Sequence, residues 1–291
     1  MEQFGFIIAL LVIGILLQRV DAPADFSKSL NFFVIYVSLP ATVLLQVPKT
    51  HLDLSALGVI MIPWILLPIM VYLVMVITRK EPPQVRAALL LVIPLGNTSF
   101  VGIPIVKTLL GPDAIGYVLM YDQFGTFLML SLYGSVIISR YESGTVHKRL
   151  ILKKLLVFPP FIVLIGALLF GEMPAKAIPY LEILSATLVP VALISVGYSL
   201  RLGGAVDYRM FSKALALKLL VMPLIAFGIL HAMNVEPLAL KTAVLESGMP
   251  SMITAGALAI ASGFAPELSA ALVGYGIMVS LVTLPLIAHW L

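Results

Sequence analysis

The chain contains no cysteine, which excludes a disulfide-stapled fold and any thiol chemistry. Charge is nearly as scarce. Asp, Glu, Lys and Arg make up 11% of the 291 residues, against about a quarter in a soluble domain, too few to cover the surface of a soluble body of this size. Alternation of polar and apolar residues is missing from the apolar runs, which argues against a membrane β-barrel. No basic residue precedes the first apolar segment, Phe4 to Leu17, and no small-residue cleavage pattern follows it, so it reads as a retained first helix rather than a leader. Also missing are a P-loop, a Gly-x-Ser-x-Gly turn and a His-Glu-x-x-His pair, so nothing points to ATP hydrolysis, serine-hydrolase or zinc chemistry. His51, His147, His231 and His289 have no metal-ligand spacing. The net charge of +4 is a topology signal rather than a nucleic-acid footprint, and no nucleic-acid partner is expected.

Apolar residues are what the chain does have: 61% of it is hydrophobic and the mean hydropathy is +1.11. A bilayer crossing takes ~20 apolar residues, so ten crossings use about 200. The reading is an all-α polytopic membrane protein. Its runs and polar breaks predict ten spans: Gln3–Gln18, Ser27–Val47, Leu54–Ile77, Pro83–Leu109, Asp113–Ser139, Leu150–Phe170, Ile178–Leu200, Phe211–Met233, Pro237–Ser262 and Pro266–Leu291. With the connection from Arg140 to Lys154 placed in the cytoplasm, thirteen Lys and Arg fall on the cytoplasmic side and four on the other. That bias predicts both termini on the non-cytoplasmic side of a plasma or inner membrane. Lys218 falls inside the eighth span; with Lys107, Lys213 and Lys241 it is expected to snorkel to an interface.

The halves repeat weakly. Gly96 and Ser99 in span 4 correspond to Gly248 and Ser251 in span 9, and Ser38-Leu39-Pro40 in span 2 to Leu188-Val189-Pro190 in span 7. Five helices per half force the second half into the inverted orientation common in secondary transporters. The predicted repeats are residues 1–145 and 146–291.

Spans 4 and 9 carry the chemistry. Pro94-Leu95-Gly96-Asn97-Thr98-Ser99-Phe100-Val101-Gly102-Ile103-Pro104 and Glu246-Ser247-Gly248-Met249-Pro250-Ser251 concentrate Gly, Pro and hydroxyl residues within apolar helices. Proline removes a backbone donor and glycine tolerates unwound geometry. Broken helices are therefore expected there, shaped by Gly96, Gly102, Pro104, Gly248 and Pro250, with free backbone groups near mid-bilayer that must line a cavity or be buried. A plain proline kink with small-residue packing is the competing explanation; two such segments in corresponding places favour a substrate site. Asp122 and Glu246 each lie nine residues into a span, about 13 Å deep. A charge there costs at least ~3 kcal/mol, so each needs a partner, a proton or a bound cation. Gln123 and Thr126 lie beside Asp122 as further oxygen ligands or substrate contacts.

The run from Gly96 to Pro104 resembles the fourth-helix signature of the auxin efflux carrier family. Leu188-Val189-Pro190-Val191-Ala192-Leu193-Ile194-Ser195-Val196-Gly197, Met249-Pro250-Ser251 and Ser280-Leu281-Val282-Thr283-Leu284-Pro285 agree with it, so the resemblance covers essentially the whole chain. It implies a fold shared with bile acid:sodium symporters: ten helices in two inverted five-helix repeats, with broken helices 4 and 9 crossing. It also implies a scaffold of spans 1, 2, 6 and 7 that dimerises, and a moving domain of spans 3–5 and 8–10 working as an elevator. The stretch Glu246-Ser247-Gly248-Met249 is similar to the sodium-binding turn of those symporters. Many auxin-carrier relatives lack an acid there, so Glu246 together with Asp122 points to Na⁺ or H⁺ coupling.

The expected function is secondary transport of a small mono- or dicarboxylate, with no cofactor beyond the coupling ion. Asn97, Thr98, Ser99, Gln123, Gly248, Met249, Pro250 and Ser251 are the expected substrate contacts, and Glu246, Asp122, Ser99 and Thr126 the expected cation ligands. Two alternatives stand beside it. A monovalent cation/proton antiporter would exchange ions on Asp122. An intramembrane aspartyl protease matches Tyr121-Asp122 but lacks its second Gly-x-Gly-Asp motif.

Overall fold

A computed structural model of the chain describes residues 2–23, 25–49, 53–142, 159–200 and 207–291. The connection from Arg140 to Lys154 is described only as far as residue 142; Lys148, Arg149, Lys153, Lys154 and Arg201, as well as His51, His147 and the boundary between the predicted repeats, lie outside the described residues.

The predicted apolar runs are helical where they are described, apart from interruptions at 93–97 and 248–252: α1 (Glu2–Leu17), α2 (Phe26–Lys49), α3 (Leu54–Ile77), α4 (Pro83–Val92), α5 (Thr98–Leu110), α6 (115–142), α7 (Pro159–Phe170), α8 (Ile178–Ser199), α9 (Tyr208–Ala232), α10 (Pro237–Ser247), α11 (Ile253–Ala261) and α12 (Pro266–Trp290). No strand occurs among the described residues. Five helices, α2, α3, α8, α9 and α12, are long and apolar enough to cross a membrane, which makes this a polytopic membrane protein. The helices start where local chemistry directs. Asp53 accepts from the Ala56 amide at 2.8 Å to cap α3. Glu236 accepts from Leu238 and Ala239, both at 3.0 Å, to cap α10. Pro83, Pro237 and Pro266 each occupy a first helical position, where a missing N–H costs nothing.

Three prolines have a second effect. Pro40, Pro104 and Pro223 each stand at the second position of an α-helical stretch that follows a π-helical turn, over Val34–Ser38, Thr98–Gly102 and Leu217–Val221. A proline cannot donate to the carbonyl four residues back and its ring crowds it. The chain takes up this misfit with a wider turn, seen in the bond from the Gly102 amide to the Asn97 carbonyl at 3.0 Å. Gly102 and Pro104, expected at the helix break, are therefore inside α5. The break itself lies between α4 and α5, at 93–97, where Pro94 and Gly96 stand.

Helices α1, α2, α7 and α8 pack together, α1 on the second half of α8 and α7 on the second half of α2. A polar seam joins α2 to α8, running antiparallel. Ser27 hydrogen-bonds Ser199 at 2.7 Å, Ser195 donates to Asn31 at 2.6 Å, and Ser38 and Thr42 meet Thr187 and Ser185 at 2.7 and 2.8 Å. Such hydroxyl pairs act as glue where apolar contacts with lipid and with protein are equivalent. Between α1 and α8 the backbones touch at glycines: a Cβ on Gly14 would lie 2.7 Å from the Tyr198 nitrogen and 2.8 Å from the Gly197 Cα. Because the obstacles are backbone atoms, Gly14→Val must push the helices apart, at a cost of about 1–3 kcal/mol or more. Its melting temperature in detergent should fall by several degrees, whereas Gly5→Val, with nothing within 4 Å, should melt like the parent; equal melting of the two variants would contradict this packing.

Candidate functional site

The breaks between α4 and α5 and between α10 and α11 meet. Gly96 and Ser251 form an antiparallel bridge, the Asn97 amide donates to the Pro250 carbonyl at 2.8 Å, and the Met252 amide to the Leu95 carbonyl at 2.9 Å. Each interruption thus satisfies backbone groups freed by the other, which lets two unwound segments exist inside an apolar body.

A cavity of about 190 Å³ opens beside this crossing, below the ~300 Å³ typical of drug-sized sites, so it suits a small solute. Asn97, Ser99 and Phe100 line it from α5 and its approach, Asp122 and Gln123 from α6, Met252, Ile253 and Thr254 from α11, and Asn31, Ile35 and Leu39 from α2. The first turns of α5 and α11 both face it, and neither has a side-chain cap. Free N–H groups and the positive ends of two half-helices therefore converge on one small space. The Asn97 Nδ2 and Gln123 Oε1 atoms are buried without a hydrogen-bond partner among the described residues. Asn97 is only 3% exposed, so a ligand in the cavity is what would satisfy its amide.

Asp122 forms the acidic wall. It lies on a π-helical turn, Tyr121–Phe127, which the Trp64 indole steadies by donating to the Phe124 carbonyl at 2.8 Å. Thr98 donates to its Oδ1 at 2.5 Å and Gln123 to its Oδ2 at 2.6 Å. Thr98, expected to hold substrate, is instead occupied with Asp122: successive residues of a helical turn point in different directions, and it is Ser99 that faces the cavity. Thr126 is buried but makes no hydrogen bond to either carboxylate among the described residues. Gly248, Met249, Pro250 and Ser251 do not line the cavity; they form the far strand of the crossing, with Pro250 and Ser251 supplying its backbone contacts.

Glu246 lies behind the crossing, fully buried, with both carboxylate oxygens unpaired among the described residues. It packs on Gly102, where a Cβ would come within 2.6 and 2.7 Å of those oxygens. Its electrostatic neighbours are Asp122, Tyr121 and Lys218. Lys218 overturns an expectation. It is 2% exposed and does not snorkel; the π turn before Pro223 carries it inward, so that its Nζ would lie 3.3 Å from a Cβ on Gly96. A lysine in the middle of an apolar span was the available signal for this residue. Lys107 and Lys213 are exposed and Lys241 is half-buried. No cluster of three or more metal-ligating side chains occurs among the described residues.

A protein-family profile described as "Membrane transport protein" matches residues 6–288. The chain is 27% identical over 282 residues, 91% of its own length and 89% of the relative's, to an uncharacterized transporter of Methanocaldococcus jannaschii. It is 30% identical over 200 residues, 65% of its length and 63% of the relative's, to an uncharacterized transporter of Methanothermobacter thermautotrophicus. The chain belongs to this membrane transport protein family, that of the auxin efflux carriers.

Proposed function

We propose that the chain is a secondary transporter for a small organic anion, a mono- or dicarboxylate, coupled to Na⁺ or H⁺. The observation that carries this reading is the convergence of two uncapped half-helix N-termini and the unpaired Asn97 amide on one small cavity walled by Asp122. An anion seated there gains from both helix ends, but it adds negative charge beside an aspartate. A cation or proton on the acidic groups offsets that charge, which ties substrate binding to the coupling ion.

An elevator with inverted five-helix repeats of ten spans accounts for the packing. Helices α1, α2, α7 and α8 form the scaffold, knitted by the polar seam; α3–α6 and α9–α12 form the moving body, and the cavity lies between them, with α2 supplying the scaffold wall. The scaffold also forms the homodimer surface, and both termini face away from the cytoplasm.

The test is solute counterflow in proteoliposomes of the purified protein, with a panel of mono- and dicarboxylates under sodium, potassium and pH gradients. At least one anion should exchange, and Asn97→Asp, which places a carboxylate among the helix N-termini, should lower that exchange at least tenfold. Ion flux with no organic solute moving would replace this reading by the cation/proton antiporter, which exchanges ions on Asp122.

A further inference from the structure

Behind the crossing, away from the cavity, Lys218 and Glu246 form an arrangement that substrate binding does not use. Both are buried, at 2% and 0% exposure. The Nζ of Lys218 has a hydrogen bond only to the Met222 sulfur at 3.4 Å among the described contacts, a weak acceptor. Neither Glu246 oxygen has a partner, and no ion pair within 4.0 Å joins the two groups. They are still neighbours: a Cβ on Gly96 would lie 3.3 Å from Lys218 Nζ and 3.6 Å from the backbone carbonyl oxygen of Glu246, whose carboxylate oxygens lie over Gly102. That carbonyl belongs to the last turn of α10, which ends at Ser247, and a helix C-terminus favours a cation. The charged and titratable groups around the spot are Lys218 on α9, Glu246 on α10, and Asp122 and Tyr121 on α6.

We infer that Lys218 is the resident counter-cation of the crossing, a tethered ammonium in the place beside Glu246 that a coupling sodium ion would need. A sodium ion requires a shell of oxygen ligands and is repelled by a neighbouring ammonium. Lys218 supplies the same positive charge from within the chain, balancing Glu246 and the C-terminal end of α10. Asp122, held by hydroxyl and amide donors without a cation of its own, is left as the acid whose charge must be neutralised when an anion enters, and a proton suffices for that. The coupling part of this inference rests on the transporter reading above; the placement of Lys218 does not.

The experiment is thermal unfolding of the full-length protein in a NaCl series balanced with KCl at constant ionic strength, which reads sodium binding with no substrate present. The parent and Lys218→Arg should show no sodium-selective rise. Lys218→Met should acquire one of several degrees, and Lys218→Met/Glu246→Gln should lose it again. A sodium-selective rise in the parent that disappears in Glu246→Gln, or a folded Lys218→Met indifferent to sodium, overturns the inference. Where Lys218→Met does not fold, the double variant decides. Recovery of the parent's melting temperature, because both charges leave together, supports the pairing; a double variant as unstable as the single one overturns it. A failure of the counterflow test would leave these thermal results standing, so the two readings fail separately.

Discussion

Asp122→Asn is expected to keep solute exchange but to lose accumulation against a gradient, by at least tenfold in steady-state uptake. The substitution is nearly isosteric, and the site can absorb it. Thr98 continues to donate to the remaining carbonyl oxygen. Gln123, whose Oε1 is buried without a partner, turns its amide over and accepts from the new NH₂ group in place of donating to Oδ2. The fold should therefore survive, and the charge alone is removed. Exchange of anion for anion needs no net movement of the coupling ion, so it should persist. Concentrative uptake requires that the loaded site carry an ion whose release is linked to substrate release, and it should disappear together with its dependence on the driving gradient. The measurement compares counterflow with gradient-driven uptake in the same liposomes. An Asp122→Asn protein that still concentrates substrate as the parent does would remove Asp122 from the coupling machinery.

Gly102→Ala should have the second large effect, and it acts through Glu246. A Cβ at residue 102 would stand 2.6 and 2.7 Å from the two carboxylate oxygens and 3.0 Å from their carbon, well inside contact distance. The obstacle is the end of a side chain, so the backbone need not move; the carboxylate is displaced from its seat beside the crossing. The protein should still fold, with a loss of about 1–3 kcal/mol for the overpacked site, while transport falls at least tenfold. The interaction is testable as a cycle. Combining Gly102→Ala with Glu246→Ala restores the missing space, so the double variant should be more stable than the sum of the single changes by at least ~0.5 kcal/mol. Additive melting data would show that Glu246 does not depend on the missing side chain.

Sequence alone determined where the helices lie, because hydropathy and proline placement are local properties: Leu54–Ile77 has the same bounds in the prediction and in the structure, and the interruptions around Gly96 and Gly248 follow from glycine and proline chemistry within a few residues. It also marked Asp122 and Glu246, since an acid in an apolar span is visible in any window. What the sequence did not decide are relations between distant segments. Pro104 read as a breaker, yet the helix runs through it, because a π turn accommodates the ring once neighbouring helices hold the turn in place. Thr98 and Ser99 were equivalent as hydroxyls on one run; the position of α6 assigns one to Asp122 and the other to the cavity. Asn31, Ile35 and Leu39 entered the cavity wall only because α2 packs opposite the crossing, more than fifty residues from it in the chain. Lys218 shows the difference most plainly. By composition it was one more lysine with a long stem able to reach water, and only the packing of α9 against the crossed segments turned that stem inward. Its neighbours there, Glu246 and the end of α10, come from another part of the chain.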